Sequence, residues 1–251
     1  PITSVSTPGR IWPVAAALAV AAAYPLAMWR HAQRWPMVLI AGLCALLALG
    51  GLLVSFSKGA LLGLLAAGLV LLFFASRSLA PRRRWLILGG SLLAGVLLLT
   101  AVALVLGVER LNPLGETSAV RLKTWSASLT MIGDHPLVGI GLDQFGQFYP
   151  DYMDPSLAQT NERFTSHPHN LLLDIWLRLG IMGIVAISWL LIRFYRRILH
   201  PTGDALPSII NAGIAAAMTA ALVHGLVDNV YFVPDLAFAF WLLLLLRFRE
   251  T

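Results

Sequence analysis

Two basic residues are candidates for binding an anion. Lys58 lies in the polar turn at residues 55–59, and Arg121 lies one helical turn before Trp125. A guanidinium offers a planar fork of donors to phosphate oxygens, whereas an ammonium acts as a point charge. Arg121 is therefore the stronger candidate for binding a phosphate. The alternatives are that Arg121 is a solvated surface residue and that Lys58 snorkels from a helix end.

Two histidines near the start of an apolar segment are candidates for proton transfer. A neutral imidazole at His169 can accept a proton from a hydroxyl or donate one to a leaving oxygen. Alternatively, His169 is only a polar cap at the beginning of the apolar segment. The His167-Pro168-His169 sequence has no accompanying set of carboxylates, so it is a weak zinc signature and the sequence predicts no metal site. We expect His167 to face water.

Further polar residues are expected to position the substrate or the reacting groups. These residues are Asn170, Trp125, Asp228 and His224. Asp174 and Arg178 are four residues apart at the start of an apolar segment. They could belong to the same group, and the spacing equally predicts an ion pair within one helix that has a purely structural role.

The elements that must hold these residues are membrane helices. Of the 251 residues, 58% are hydrophobic and only 12% are charged, with a mean hydropathy of +0.79. This composition excludes a soluble globular domain, in which about 25% of residues are charged. The single cysteine, Cys44, excludes an intrachain disulfide.

Apolar stretches long enough to cross a bilayer predict an all-α polytopic membrane protein with about seven transmembrane helices. The stretches run from Ile11 to Trp29, Pro36 to Val54, Gly59 to Ala75, Trp85 to Gly107, Leu171 to Ile192, Ser208 to Val227 and Val230 to Leu246.

The distribution of basic residues predicts the orientation of these helices. If the turn at residues 77–84 is cytoplasmic, the arginines around residues 30–34 and 193–197 and in the C-terminal tail lie on the same side. The positive-inside rule favours this orientation. The net charge of +6 is therefore interpreted as membrane asymmetry rather than as nucleic-acid binding.

One connection is much longer than the others. Residues 108–170 form a predicted external loop between residues 1–107, with helices one to four, and residues 171–251, with helices five to seven. A loop of this length is usually functional. Leu122, Trp125, Leu129 and Ile132 recur every three or four residues, which predicts an interfacial helix on the membrane surface.

Three motifs occur in order around this loop. They are Ser-x-Ser-Lys-Gly at residues 55–59, a run from Arg121-x-x-x-Trp125 through Met131 and Leu142 to Phe145, and His169-Asn170 followed by Gly180 and Gly183. Together they resemble the motifs of the O-antigen ligase and O-antigen polymerase superfamily.

The chain also departs from that pattern. Lys58 stands where the family usually has arginine, and Arg178 stands where an acidic residue is often found. Members usually have more membrane spans than the seven visible here, and the chain begins with Pro1. We therefore expect this chain to be the C-terminal part of a longer protein.

The resemblance implies a metal-independent glycosyltransferase without a cofactor in the bacterial inner membrane. On the periplasmic face, such an enzyme moves a glycan from undecaprenyl diphosphate to a hydroxyl of a glycan or lipid-core acceptor, a step of lipopolysaccharide biosynthesis in the cell envelope. Arg121 and Lys58 would bind the diphosphate, while His169 and Arg121 would be catalytic.

Two other classes of protein are alternatives. A transporter or flippase of lipid-linked sugars would place its polar groups near the bilayer midplane. A noncatalytic assembly subunit would bind the lipid without turning it over. The concentration of polar residues in one loop and at one interface favours the enzyme over the transporter.

Overall fold

A computed structural model of the chain describes residues 57–106, 115–199, 205–228 and 234–248, with the isolated positions Leu43, Leu46 and Gly50. All structural statements below concern this part of the chain. The first two predicted spans, apart from those three positions, lie outside it.

Regular structure in the described residues is entirely helical, as predicted. Seven α-helices occur: α1 (Lys58–Ala75), α2 (Pro81–Leu106), α3 (Glu116–Asp134), α4 (Phe145–Tyr152), α5 (Leu171–Leu199), α6 (Ala205–Gly225) and α7 (Pro234–Phe248). Two short 3-10 segments, Pro155–Leu157 and Asn161–Phe164, lie between α4 and α5. Among the described residues there is no β-strand.

Three of the helices have the length and hydropathy needed to cross a membrane. They are α1, the Pro81–Ala101 part of α2, and α5, while α6 contains the shorter apolar stretch Ile209–Gly225. Helix α5 continues beyond the predicted end at Ile192 to Leu199, through a more polar stretch whose last turn carries Arg196 and Arg197. Cations in that position interact favourably with the helix dipole.

Helices α1 and α6 pack closely because both present small residues. Gly59, Gly63 and Ala67 recur at four-residue spacing on α1 and are buried. A Cβ atom at Gly63 would lie 2.8 Å from the carbonyl oxygen of Ala220 on α6. This small-residue contact is a common way of bringing two helix backbones together in a membrane.

The chain between α3 and α4 docks onto a break in α5 at Gly180. Gly180 has φ +64° and ψ −163°, a conformation essentially restricted to glycine. The break exposes the Leu177 carbonyl oxygen, which accepts a hydrogen bond of 2.6 Å from the Ile140 amide. A Cβ atom at Gly180 would lie 2.0 Å from the Leu137 carbonyl oxygen. The glycine therefore permits the loop backbone to contact α5 directly.

Side chains reinforce this contact. The Trp176 indole donates to the Pro136 carbonyl oxygen at 2.9 Å. Arg178 pairs with Asp174, with 2.9 Å between Nε and Oδ1, and also bonds to Asp143 in the docked loop. The predicted ion pair within α5 is thus confirmed, and Arg178 additionally attaches the loop. Because the Asp174 side chain is fully buried, its charge requires such a partner.

Helix α3 has one protein-facing side and one open side. The residues buried against the rest of the protein are Thr124, Ala127, Ser128, Met131 and Ile132. Of the predicted apolar stripe, Leu122 and Leu129 are 62% and 59% exposed on the opposite side of the helix, whereas Ile132 is buried against the protein. An interfacial helix requires such an open apolar side. Its position on the membrane stays a prediction.

The two ends of the helix bundle differ in charge, in agreement with the predicted asymmetry. The beginning of α1, the beginning of α5 and the end of α6 meet at one end, which carries the segment from α3 to α5. The opposite end carries the turn at residues 76–80 and the last turn of α5, with their arginines.

Labelling with a membrane-impermeant thiol reagent tests the orientation. In a Cys44→Ala background, Gln159→Cys should react from outside intact cells, whereas Ser78→Cys should react only after the membrane is permeabilised. Both side chains are exposed, so protein burial does not prevent either reaction. The reverse pattern would overturn the orientation and place the polar loop in the cytoplasm.

The break in α5 generates a prediction about stability. Gly180→Ala should lower the free energy of unfolding by more than about 1–3 kcal/mol, the cost of this backbone conformation for an L-residue. The matched control is Gly133→Ala in α3, where a Cβ atom has open space and should stabilise the helix by about 0.5–1 kcal/mol. Thermal unfolding in detergent compares the two variants. Equal midpoints would contradict the docking role of Gly180.

Candidate functional site

The buried carboxylate of Asp228 joins two distant parts of the chain. Its Oδ1 lies 3.1 Å from Nδ1 of His169, at the entry to α5. Its Oδ2 lies 3.9 Å from a terminal guanidinium nitrogen of Arg121 on α3. The side chain of Asp228 is only 11% exposed, and those of His169 and Arg121 are 28% and 22% exposed. Three candidates from the sequence thus lie together, next to solvent.

The surroundings of Asp228 keep it ionised. Burial raises the pKa of its carboxyl, but the hydrogen bond from His169 and the charges of His169 and Arg121 outweigh burial and bring the pKa down to about 2. A lowered folded-state pKa means that ionised Asp228 stabilises the protein above the ordinary carboxyl pKa, and that this stabilisation is lost as the pH falls through about 2. At neutral pH this carboxylate therefore accepts hydrogen bonds only.

This state of Asp228 determines which nitrogen of His169 is basic. Facing an ionised carboxylate, the neutral imidazole carries its hydrogen on Nδ1 and leaves the lone pair on Nε2. Nε2 lies 3.5 Å from the Thr165 hydroxyl oxygen. His169 is thereby prepared to accept a proton at Nε2.

The backbone around His169 is unusual. His169 has φ +52°, in the left-handed region that few non-glycine residues adopt. Its amide donates to Nδ1 of His167 at 3.3 Å, and the two imidazole rings lie 4.3 Å apart, between centroids. Such conformations persist where surrounding contacts enforce them, often at functional sites.

The expectation that His167 faces water is only partly correct, because the residue is half-buried. The side chain packs against the His169 ring, and burial, followed by the charge of His169, lowers the His167 pKa to about 4. His167 is therefore neutral at physiological pH. Its local role is to support the backbone and ring of His169.

Asn170 connects this segment to two helices. Its side-chain oxygen accepts hydrogen bonds from the Leu172 and Leu173 amides at 3.0 and 3.1 Å, which caps the beginning of α5. Its side-chain nitrogen donates to the Leu226 carbonyl oxygen at 2.9 Å, just after α6. Asn170 thus fixes the distance between His169 and the segment that carries Asp228.

Lys58 approaches α3 from the beginning of α1. Ser57 caps α1 by accepting a hydrogen bond from the Ala60 amide. The Lys58 ammonium donates to the Ser118 hydroxyl at 2.9 Å, and Ser118 lies one turn before Arg121 on α3. The turn that contains Ser57 therefore directs Lys58 toward the helix face that carries Arg121.

His224 and Trp125 have buried polar atoms near this end of the bundle. A Cβ atom at Gly59 would lie 2.3 Å from a ring carbon of His224, so the imidazole packs on the backbone of α1. In the described part of the protein, neither ring nitrogen of His224 nor the indole nitrogen of Trp125 has a hydrogen-bond partner. Buried polar atoms normally have one, so these three nitrogens are exceptions among the described residues.

Sequence reasoning missed the contributions of Ser118 and Thr165 and the supporting role of His167. Ser118 lies three residues before Arg121, so helical periodicity places both on one face, and this spacing could have indicated the contribution of Ser118. The hydrogen bond between Lys58 and Ser118 joins residues 60 positions apart, and no local pattern predicts it. Among the described residues, no group of three or more His, Cys, Asp or Glu side chains is arranged to hold a metal ion.

Comparison with protein families identifies the family of this chain. The profile of the O-antigen ligase family matches residues 43–188. No curated protein matches the sequence. The matched region is more than half of the chain and contains Lys58, Arg121 and His169, so the resemblance seen in the motifs is confirmed. The chain belongs to the O-antigen ligase family.

Proposed function

We propose that this membrane glycosyltransferase of the O-antigen ligase or polymerase type transfers a glycan from undecaprenyl diphosphate to an acceptor hydroxyl. The acceptor is another glycan or a lipid core, and the reaction takes place at the periplasmic face of the bacterial inner membrane without a metal ion. The observation that carries the proposal is the meeting of His169, Asp228 and Arg121 at one end of an apolar helix bundle.

The donor's diphosphate would be bound by cations from two helices. Arg121 is held only loosely by Asp228, at 3.9 Å, and its guanidinium is partly exposed. An incoming phosphate can therefore form charge-assisted hydrogen bonds to it. Lys58 adds a second positive charge from the beginning of α1. As the sugar leaves, these cations stabilise the negative charge that develops on the diphosphate.

His169 would activate the acceptor. In this step Nε2 of His169 takes the proton of the acceptor hydroxyl, whose oxygen forms the new bond to the anomeric carbon. The bond from that carbon to the diphosphate oxygen breaks, and the electron pair leaves with the undecaprenyl diphosphate. Asp228 holds the imidazole in the required tautomer and stabilises the imidazolium that forms, as carboxylates do in other histidine-based sites.

The helix bundle would hold the lipid half of the donor beside this site. In α1 and α2 the charged side chains among the described residues lie in the first turn, at Lys58 and residues 82–84. A transporter would require polar groups near the midplane. The distribution of charge therefore favours chemistry at the membrane surface over passage through the membrane.

A noncatalytic assembly subunit remains the alternative that turnover tests directly. The purified full-length protein is incubated with undecaprenyl-diphosphate-linked glycan and candidate acceptors. The products are then analysed for transferred glycan. Transfer of the glycan would support the proposal. Stable donor binding without product, for all acceptors, would favour the subunit.

Substitution of Arg121 tests the anion site. Arg121→Ala should lower the transfer rate by about 100- to 1,000-fold, the usual effect of removing one group that stabilises a developing oxyanion. Arg121→Lys should restore little because an ammonium lacks the planar fork, whereas Lys58→Arg should be tolerated. Initial rates with purified donor provide the measurement.

Arg163→Ala is the matched control for this experiment. Arg163 belongs to the same long loop, but it is exposed and its guanidinium lies over the Phe164 ring. Its replacement should leave the rate near that of wild type. EDTA should also have no effect. Activity that disappears in EDTA and returns with a divalent cation would contradict metal independence.

Substitutions of His169 and Asp228 test the proton transfer. His169→Ala and Asp228→Asn should each lower single-turnover rates by about 100- to 10,000-fold while donor binding is largely kept. His169→Asn provides a second variant, because asparagine tolerates the left-handed backbone. His167→Ala should reduce the rate by about fivefold or less, corresponding to the loss of one supporting hydrogen bond.

Asp154→Asn is the control for Asp228→Asn. Asp154 is a carboxylate just after α4 that contacts Lys123 and Ser156. The Asp154→Asn substitution should change the single-turnover rate little. Thermal unfolding must be measured in parallel, because a residue that only caps α5 would change stability by about 1 kcal/mol and leave turnover intact. Normal turnover per folded molecule in His169→Asn would exclude the catalytic role of His169.

A further inference from the structure

An apolar cavity lies at the end of the bundle opposite to His169 and Asp228. It has a volume of about 470 Å³ and is lined by residues of α1, α2, α5 and α6, among them Phe73, Trp85, Leu88 and Tyr195. This volume is in the range of about 300–1,000 Å³ typical of small-molecule sites. The Tyr195 hydroxyl already bonds to Thr219 at 2.7 Å. The lining therefore suits a hydrocarbon chain.

The rim of the cavity carries ordered positive charge. The Arg77 guanidinium lies 3.9 Å from the centre of the Phe74 ring, which also lines the cavity. Arg84 donates to the carbonyl oxygens of Ser76 and Arg77, and so holds the turn between α1 and α2 in place. These contacts position Arg77 and Arg84 next to the apolar lining.

The arginines at residues 77–84 have no acidic partner within the described ranges. The salt bridges found there involve Asp143, Asp154, Asp174 and Asp228, and none includes an arginine from residues 77–84. Helical spacing places Arg82 near Trp85 and Gly89 on the cavity side of α2, whereas Arg83 lies on the other side. The site thus combines an apolar cavity with unneutralised cations at its edge.

We propose that this cavity binds an anionic phospholipid, with an acyl chain among the apolar lining residues and the phosphate at Arg77 and Arg82. The lining matches the chain and the rim matches the headgroup charge. Basic residues next to a membrane attract anionic lipids in the same way. The site is separate from the one at His169 and does not depend on the reaction proposed there.

Two glycines allow the acyl-chain position to be tested without disturbing the fold. A Cβ atom at either Gly89 or Gly90 of α2 would have no atom within 4 Å, so a larger side chain fits at both positions. Only Gly89 lines the cavity. Gly89→Leu should therefore fill the cavity and abolish saturable lipid binding, whereas Gly90→Leu should bind as wild type does.

Two arginines test the headgroup position in the same manner. Arg77→Gln should weaken binding by about fivefold, the value of one basic residue at an anionic membrane surface. Arg83→Gln removes one positive charge from the first turn of α2, on the side away from the cavity, and should have little effect on lipid binding. This pair separates specific binding from general attraction by positive charge.

The measurement is native mass spectrometry of the protein in detergent, titrated with phosphatidylglycerol or phosphatidylcholine. Saturable binding of phosphatidylglycerol, lost in Gly89→Leu and kept in Gly90→Leu, is the expected result. Equal binding of both lipids, or equal binding by both glycine variants, would overturn the proposal. Displacement of phosphatidylglycerol by undecaprenyl phosphate would overturn it in favour of a polyprenyl chain. Formation of a protein dimer that releases the bound lipid would overturn the proposal, because a second copy of the chain would then cover the cavity.

Discussion

The arrangement of the candidate site depends on keeping one carboxylate charged in a mostly buried position. Asp228 is separated by more than 50 residues from both His169 and Arg121, and the three side chains meet only when α3, α5 and α6 are packed. Burial of a charge is costly unless partners compensate it. His169 and Arg121 provide that compensation, and the resulting ionised carboxylate selects the tautomer of His169. The need to compensate the charge of Asp228 thus links the packing of α3, α5 and α6 to the protonation of His169 and to the chemistry proposed for it.

A second constraint is steric and concerns the loop that carries these residues. The Gly180 conformation interrupts α5, frees the Leu177 carbonyl oxygen and lets the backbone at residues 137–141 lie directly on the helix. Arg178 and Trp176 then fix the same contact through side chains. Because α3 immediately precedes this docked segment, the position of Arg121 is set by a contact that involves no reacting group. Part of the family motif is explained by this packing.

The two ends of the bundle have different chemistry, which the apolar helices between them separate. One end combines cations with an ionised carboxylate and a basic imidazole nitrogen. The other end combines the arginines at residues 77–84, for which the described ranges hold no acidic partner, with an apolar cavity. Since the helices themselves carry few charges, both ends can contact lipid while presenting polar groups to different headgroup layers. The proposed reaction and the proposed phospholipid site use opposite ends of the same bundle.

The sequence by itself determined the helical class, the residues worth testing, and the positions of α1, α2, α5 and α6 to within a few residues, apart from the end of α5, which lies at Leu199 rather than Ile192. It could do so because apolar periodicity, the segregation of arginine and the cost of exposing backbone in lipid act locally along the chain. The sequence also identified Arg121, His169 and Asp228 individually. Only the tertiary structure decided that these residues share contacts, that His167 is half-buried with a lowered pKa, that Lys58 bonds to Ser118, and that Gly180 contacts the loop backbone. These features depend on distances between residues far apart in the chain, and on burial, which sets pKa values and partners only after the helices have packed.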